Sequence, residues 1–249
     1  MHKKISEIKA VSRENLLGSY GTLIGAYILV SLIVMICSSP FTPMLRRAFT
    51  DGSVFSGIIG FVGLIVVAVI GSLFSCGILY MHLKIARRQP LAFPDLFFPF
   101  RRRPDKFIGV SVLMILISFA CLLPGILCSM AGAALSSFSL SVIGAVLSVI
   151  GSIVLIILML ALALTNYLLI DSIDTIHVLQ AFRDSRKLMR HNKARLFGLC
   201  LSYIGWMLLS LLSFGLATLW VSQYYQQSLV IFYEDLTAPG CEADSYDGQ

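Results

Sequence analysis

The sequence predicts an all-α, polytopic transmembrane helical bundle of about six spans with amphipathic interfacial segments. Long uncharged apolar runs, a low charge content and a one-sided distribution of lysine and arginine carry that expectation. Only 13% of the 249 residues are charged and 57% are hydrophobic, against about 25% charged in an ordinary soluble domain. With mean hydropathy at +0.88, the chain has too few polar side chains to cover a water-soluble surface, and a soluble fold is excluded.

The runs set the span count, because roughly 20 apolar residues of helix cross a hydrocarbon core about 30 Å thick. Tyr20–Ser38 supplies one span and Val54–Tyr80 another. Phe107–Ile170 contains no Asp, Glu, Lys, Arg or His over 64 residues, enough for two spans with a turn in the small, polar stretch Ala131–Ser141. Leu196–Tyr233 is uncharged over 38 residues, just enough for two short spans, the favoured reading, with a single span and a surface-lying remainder as the alternative. The two spans turn at Ser213–Ala217, where Gly215 is suited to a turn because it adopts positive φ freely.

Basic residues in short loops stay on the cytoplasmic side of a membrane. Placing the N-terminus there puts Lys3, Lys4, Lys9 and Arg13, then the seven basic residues from Lys84 to Lys106, then the six from Arg183 to Arg195, on one side. Only Arg46 and Arg47 fall opposite. This predicts a multi-pass protein of the cytoplasmic (inner) membrane with both termini inside. It also accounts for the net charge of +6 without a nucleic-acid partner. No small-residue cleavage site follows the first apolar run, so that run is expected to remain as an anchor. Five of the six cysteines lie in or beside spans, where they are expected to pack as small apolar residues, and Cys241 lies in the tail.

Each cytoplasmic segment precedes a pair of spans, giving possible hairpin units 1–85, 86–170 and 171–236 within a single transmembrane domain 1–236. An acidic tail, 237–249, is expected to be disordered. In the first segment Ile5, Ile8, Val11, Leu16 and Leu17 alternate helically with Lys9 and Arg13; in the third, Val178, Phe182 and Met189 share a face. Both are expected to lie on the membrane surface. The middle segment, broken by Pro90, Pro94, Pro99 and Pro104 around Phe93, Phe97, Phe98, Phe100 and Arg101–Arg102–Arg103, reads as a bent interfacial loop. Arg101, Arg102, Arg103, Lys187, Arg190, Lys193 and Arg195 are the expected lipid-headgroup contacts.

Small residues at packing intervals let helices approach closely in lipid, and Gly60, Gly144, Ser148, Gly151, Gly198 and Ser202 are the expected packing positions. Pro124–Gly125, inside the third span, reads as a tolerated kink. The span centres hold no ionisable residue, and no paired-Asp, His-Glu-x-x-His, Gly-Lys phosphate loop or Cys-x-x-Cys motif occurs. No catalytic residue, metal or cofactor is therefore expected. His82, His177 and His191 read as surface histidines. Gln223, Gln227 and Asn166 are the one possible polar site: the two glutamines share a helix face and can hydrogen-bond another helix or line a solute path. Trp206, Tyr203, Trp220, Tyr224, Tyr225 and Tyr233 mostly read as interface aromatics, with Trp206 deep enough to pack against a neighbouring helix.

Leu188–Met189–Arg190–His191–Asn192–Lys193, then Leu201–Ser202–Tyr203–Ile204–Gly205–Trp206, then Phe232–Tyr233 form a recognisable series. Ile5–Ser6–Glu7–Ile8–Lys9 leading through Arg13–Glu14–Asn15–Leu16 to Gly18–Ser19–Tyr20–Gly21 extends it at the other end. In these stretches, about a third of the chain, the sequence resembles a bacterial membrane family termed domain of unknown function nine-seven-five. The resemblance implies a bacterial cytoplasmic membrane protein and carries over no catalytic residue. The expected function is thus a non-enzymatic module binding anionic membrane lipid or a membrane protein partner, with a small-solute or lipid permease as the alternative.

Overall fold

Apolar runs without charge, proline-poor in their interiors, become helices, because in lipid each backbone donor and acceptor must be satisfied within its own segment. The computed structural model describes residues 3–190 and 192–238, without the side chain of Phe49, and among them no strand occurs. The tail, with Cys241, and His191 lie outside the described residues. In chain order the helices are α1 (Ile5–Leu16), α2 (Tyr20–Ser38), α3 (Phe41–Asp51) and α4 (Val54–Ala86), then a 3-10 turn (Phe93–Phe97) and α5 (Phe98–Arg101). There follow α6 (Pro104–Ala134), α7 (Phe138–Leu162), α8 (Thr165–Asp171), α9 (Val178–Leu188), α10 (Lys193–Leu201), α11 (Ile204–Leu212) and α12 (Thr218–Thr237).

Five stretches are long and apolar enough to cross a membrane: α2, α4, α6, Phe138–Asp171 and Lys193–Leu212. The sixth, α12, has 20 residues, about 30 Å of helix. Its lower apolarity has a structural reason: Gln223, Gln227, Ser228 and Asp235 are buried, and α12 packs against α1, α2, α4 and α11. A helix enclosed by protein need not be apolar on every face. The inter-span turns fall at Leu135–Ser137 and Ser213–Ala217, and Gly215 has φ +86°.

The chain forms two compact units, one from residues up to Phe107 and from Gly198 onward, the other Ile108–Phe197. In the first, α3 seats on the opening turns of α4 because three glycines leave room for it. A Cβ on Gly60 would stand 2.7 Å from the Leu45 nitrogen, one on Gly57 would meet Ala48 Cβ at 2.9 Å, and one on Gly63 would enter the Phe41 ring. Gly60 thus packs a span against α3. Leu16, Leu23, Ala26, Val30, Phe74, Ile78, Met81, Ile85 and Leu96 form the core of this unit.

The middle segment folds as a 3-10 turn and a short helix, not as a bare loop. It docks on the last turns of α4, with Leu96 fully buried and its carbonyl against Gly77. Phe98 stacks on Tyr80 at a centroid distance of 4.0 Å, and Phe74 meets Phe97 and Phe100 at 5.9 and 4.8 Å. Asp95 holds the segment down, its carboxylate 2.7 Å from Lys84 Nζ and accepting from the Ala92 N–H at 2.9 Å. Gly77→Ala should therefore push the segment off α4. We expect a loss of about 1–3 kcal/mol, read as earlier thermal aggregation in detergent. Gly71→Ala, whose Cβ meets only Val34 Cγ2 at 3.2 Å, should change little by comparison.

The amphipathic segments are likewise covered by protein. Ile8, Ser12 and Leu16, one turn apart on α1, are fully buried where α1 packs on α12 and α4, leaving Leu17 72% exposed. On α9 the buried face is Ala181, Phe182 and Ser185, continued by Met189; it meets α7 and α8, and Ser185 Oγ donates to the Ala161 carbonyl at 3.1 Å. Packing against neighbouring helices covers on these segments the apolar face that acyl chains would otherwise cover. A common rule emerges: the middle segment docks on α4 and α9 on α7–α8, each on the hairpin preceding it, while α1 docks on the last hairpin.

In the second unit α6 and α7 meet through a register of small residues. A Cβ on Gly125 would stand 2.6 Å from the Ser148 nitrogen and one on Gly132 2.5 Å from that of Ser141. Reciprocally, Gly144 faces the Ser129 backbone and Gly151 the Cys121 carbonyl. Each helix thus supplies glycines where the other supplies serine or cysteine. The helix runs on through Pro124.

Three helices end alike. Gln89 N–H donates to the Lys84 carbonyl at 2.8 Å, Ser137 N–H to Gly132 at 2.9 Å and Gly215 N–H to Ser210 at 2.8 Å, the six-to-one bond of a Schellman close. The residue in each bend that must take positive φ is Arg88 (+54°), Ser136 (+50°) or Phe214 (+52°). A side chain costs about 1–2 kcal/mol in that conformation.

Candidate functional site

A buried imidazole in an apolar helix must find partners within the protein. His82, near the end of α4, is fully buried. Its Nδ1 lies 2.8 Å from the Gln227 carboxamide oxygen and its Nε2 3.1 Å from that of Gln223. His82 is therefore not the surface histidine expected from its place beside Lys84, whereas His177 is exposed. Gln223 and Gln227, one turn apart on α12, form the polar face read from the sequence, and it is aimed at a single residue.

A neutral imidazole offers one donor and one acceptor, so it matches one carboxamide oxygen and one amide N–H. Gln227 Nε2 is buried without another partner. Turning that amide so that Nε2 donates to Nδ1, while the ring Nε2–H donates to the Gln223 oxygen, gives both ring nitrogens and the Gln227 amide nitrogen a partner. It leaves only a carbonyl under-satisfied, the cheaper of the two. The signal available in the sequence was complementarity: an isolated histidine in one span and two glutamines a turn apart in another.

A second polar cluster ties α1 to the last hairpin. Span five is interrupted at Ser202–Tyr203, and Lys9 Nζ donates to the Ser202 carbonyl at 2.9 Å while lying 4.5 Å from the centre of the Tyr203 ring. Partial burial pulls the Lys9 ammonium pKa below its ordinary value. Gly198 meets Ile5 of α1, so Gly198 and Ser202 serve this amphipathic helix. Tyr203 is fully buried, its hydroxyl 2.6 Å from Ser228 Oγ and its ring edge-on to Tyr224 and Tyr225; it is a core residue, not an interface aromatic. Tyr224 hydroxyl donates to the Lys9 carbonyl at 3.2 Å.

Asn166 belongs to α8 in the other unit, with Oδ1 buried and without a partner among the described residues, as is Thr165 Oγ1. The proposed headgroup contacts divide between the units. Arg101, Arg102 and Arg103 are exposed beside the docked middle segment; Lys187 and Arg190 are exposed on and after α9; Lys193 and Arg195 are half-buried at the start of α10. Arg195 sends a side-chain nitrogen, Nη1, into the interior.

No curated protein and no solved structure matches the chain. The family described as protein of unknown function (DUF975) matches residues 1–239. A multi-pass helical chain with that match over nearly its whole length belongs to this family of membrane proteins of unknown function.

Proposed function

We propose that the protein is a non-enzymatic module of the bacterial cytoplasmic membrane whose basic end faces the cytoplasm and holds anionic phospholipid. The observation that carries this reading is the exposed Arg101–Arg102–Arg103 triplet, fixed beside a docked aromatic segment at the entrance to α6. A cation held there stands at headgroup level, and each contributes about 1 kcal/mol toward an anionic leaflet. Lys187 and Arg190 present a second cluster of the same kind. A permease would offer Gln223 and Gln227 to its solute, yet His82 engages both, which favours the binding module.

Replacing the three arginines with Glu should lower the phosphatidylglycerol retained through detergent extraction several-fold, an effect that weakens as salt is raised. Unchanged retention would refute the reading. A topology reporter fused after Arg103 should behave as cytoplasmic, and a periplasmic result would overturn the orientation.

A further inference from the structure

Between the end of α1, the start of α2 and the end of α4 opens a cleft of about 430 Å³ lined by Glu14, Asn15, Ser19, Arg88 and Gln89, with Ile85 and Leu91 beside them. Its volume falls in the range of small-molecule sites, about 300–1,000 Å³. The neighbouring charges are spoken for: Lys84 pairs with Asp95 and Arg87 with Glu234. The cleft is open to solvent: Glu14, Arg88 and Gln89 are exposed and Asn15 and Ser19 half-buried, and none of these five side chains makes a hydrogen bond or ion pair among the described residues. Glu14 and Arg88 stand in one cleft with opposite charges and do not neutralise each other.

The ligand that completes such a set carries an anion for Arg88 and a cation for Glu14 on one short headgroup. Guanidinium is suited to a phosphodiester. A carboxylate flanked by carboxamide oxygens and a hydroxyl is suited to a primary ammonium, whose three N–H donors they accept, whereas a quaternary ammonium donates none. The cleft lies at the start of α2 and the end of α4, both long and apolar enough to cross a membrane. Ile85 and Leu91 line it, and Leu17, between Asn15 and Ser19 in the chain, is exposed. We propose that this cleft binds the headgroup of phosphatidylethanolamine, with its phosphate on Arg88 and its ammonium on Glu14. The site is separate from the arginine triplet and selects a zwitterion, not net negative charge.

Arg88 permits a clean test because its backbone sits at φ +54°, where glycine is easier. The full-length protein, delipidated in detergent, is mixed with equal phosphatidylethanolamine, phosphatidylcholine and phosphatidylglycerol, and bound lipid is read by native mass spectrometry. Phosphatidylethanolamine should exceed phosphatidylcholine by about tenfold, the factor that one charge-assisted hydrogen bond supplies. Arg88→Gly and Glu14→Gln should each abolish that preference. Arg88→Gly should melt no earlier than the parent, and phosphatidylglycerol bound through Arg101–Arg103 should not change in either variant. A preference that survives both substitutions, equal retention of phosphatidylcholine, or displacement of the lipid by equimolar soluble phosphoethanolamine would each overturn the assignment.

Discussion

Gly144→Leu should destroy the stable packing of the α6–α7 hairpin, seen as the loss of a cooperative thermal transition in detergent, whereas Leu155→Ala on the same helix should leave it folded. The expectation rests on what a new side chain would meet. A Cβ at Gly144 runs into the Ser129 backbone nitrogen and Cα, and backbone cannot rotate aside as the tip of a long side chain can. The helices must separate, and the matching contacts at Gly125, Gly132 and Gly151 go with them. In lipid, little apolar driving force exists to bring them back, because acyl chains are as apolar as leucine and close packing is most of what holds spans together. Insertion into a filled interface costs about 1–3 kcal/mol in a soluble core and occasionally more; here four reciprocal contacts are coupled, so we expect the upper end or beyond. Leu155 is only half-buried, so its truncation should cost less than the roughly 2 kcal/mol at which buried leucine losses begin. Ser148→Leu should resemble Gly144→Leu. Equal tolerance at all three positions would refute the small-residue register as the source of cohesion.

His82→Leu should be nearly as damaging, and for a different reason. It removes one buried polar group and thereby strands two, leaving the Gln223 and Gln227 carboxamides in an apolar interior at about 1–3 kcal/mol each. A triple variant, His82→Leu with Gln223→Leu and Gln227→Leu, removes donors and acceptors together and should recover much of the loss, since replacing all partners by apolar groups of similar size is close to neutral. Thermal aggregation of the single and triple variants measures the coupling. A triple variant no more stable than His82→Leu would show that the polar contacts contribute nothing beyond shape.

Span positions and turns were legible because the physics that sets them is one-dimensional: hydrocarbon thickness fixes run length, and Gly215 and the stretch near Ser136 interrupt the runs. Burial was harder to read. The face of α1 made by Ile8, Ser12 and Leu16 has the same periodicity whether it meets acyl chains or α12, and hydropathy cannot distinguish the two. Phe97, Phe98 and Phe100 misled similarly, since an aromatic cluster beside arginines suits an interface as well as it suits Phe74 and Tyr80. His82 stands two positions before Lys84 in the chain, and that neighbour suggested water; helical rotation places the two on different faces of α4. The cleft between α1, α2 and α4 could not be read, because its residues come from stretches about seventy positions apart in the chain.

The docking of α1 on α12 also dictates an order of events. Helix α1 is made well before α12, on which it seats, and His82 waits 141 residues for Gln223. At about 5–20 residues per second, that is an interval on the order of ten seconds during which the imidazole has no native partner and α1 has only the α4 part of its seat. Residues 108–197 are contiguous and can complete their contacts inside that interval, so the unit that α12 completes must finish last, and any translation arrest before Gln223 would leave it open.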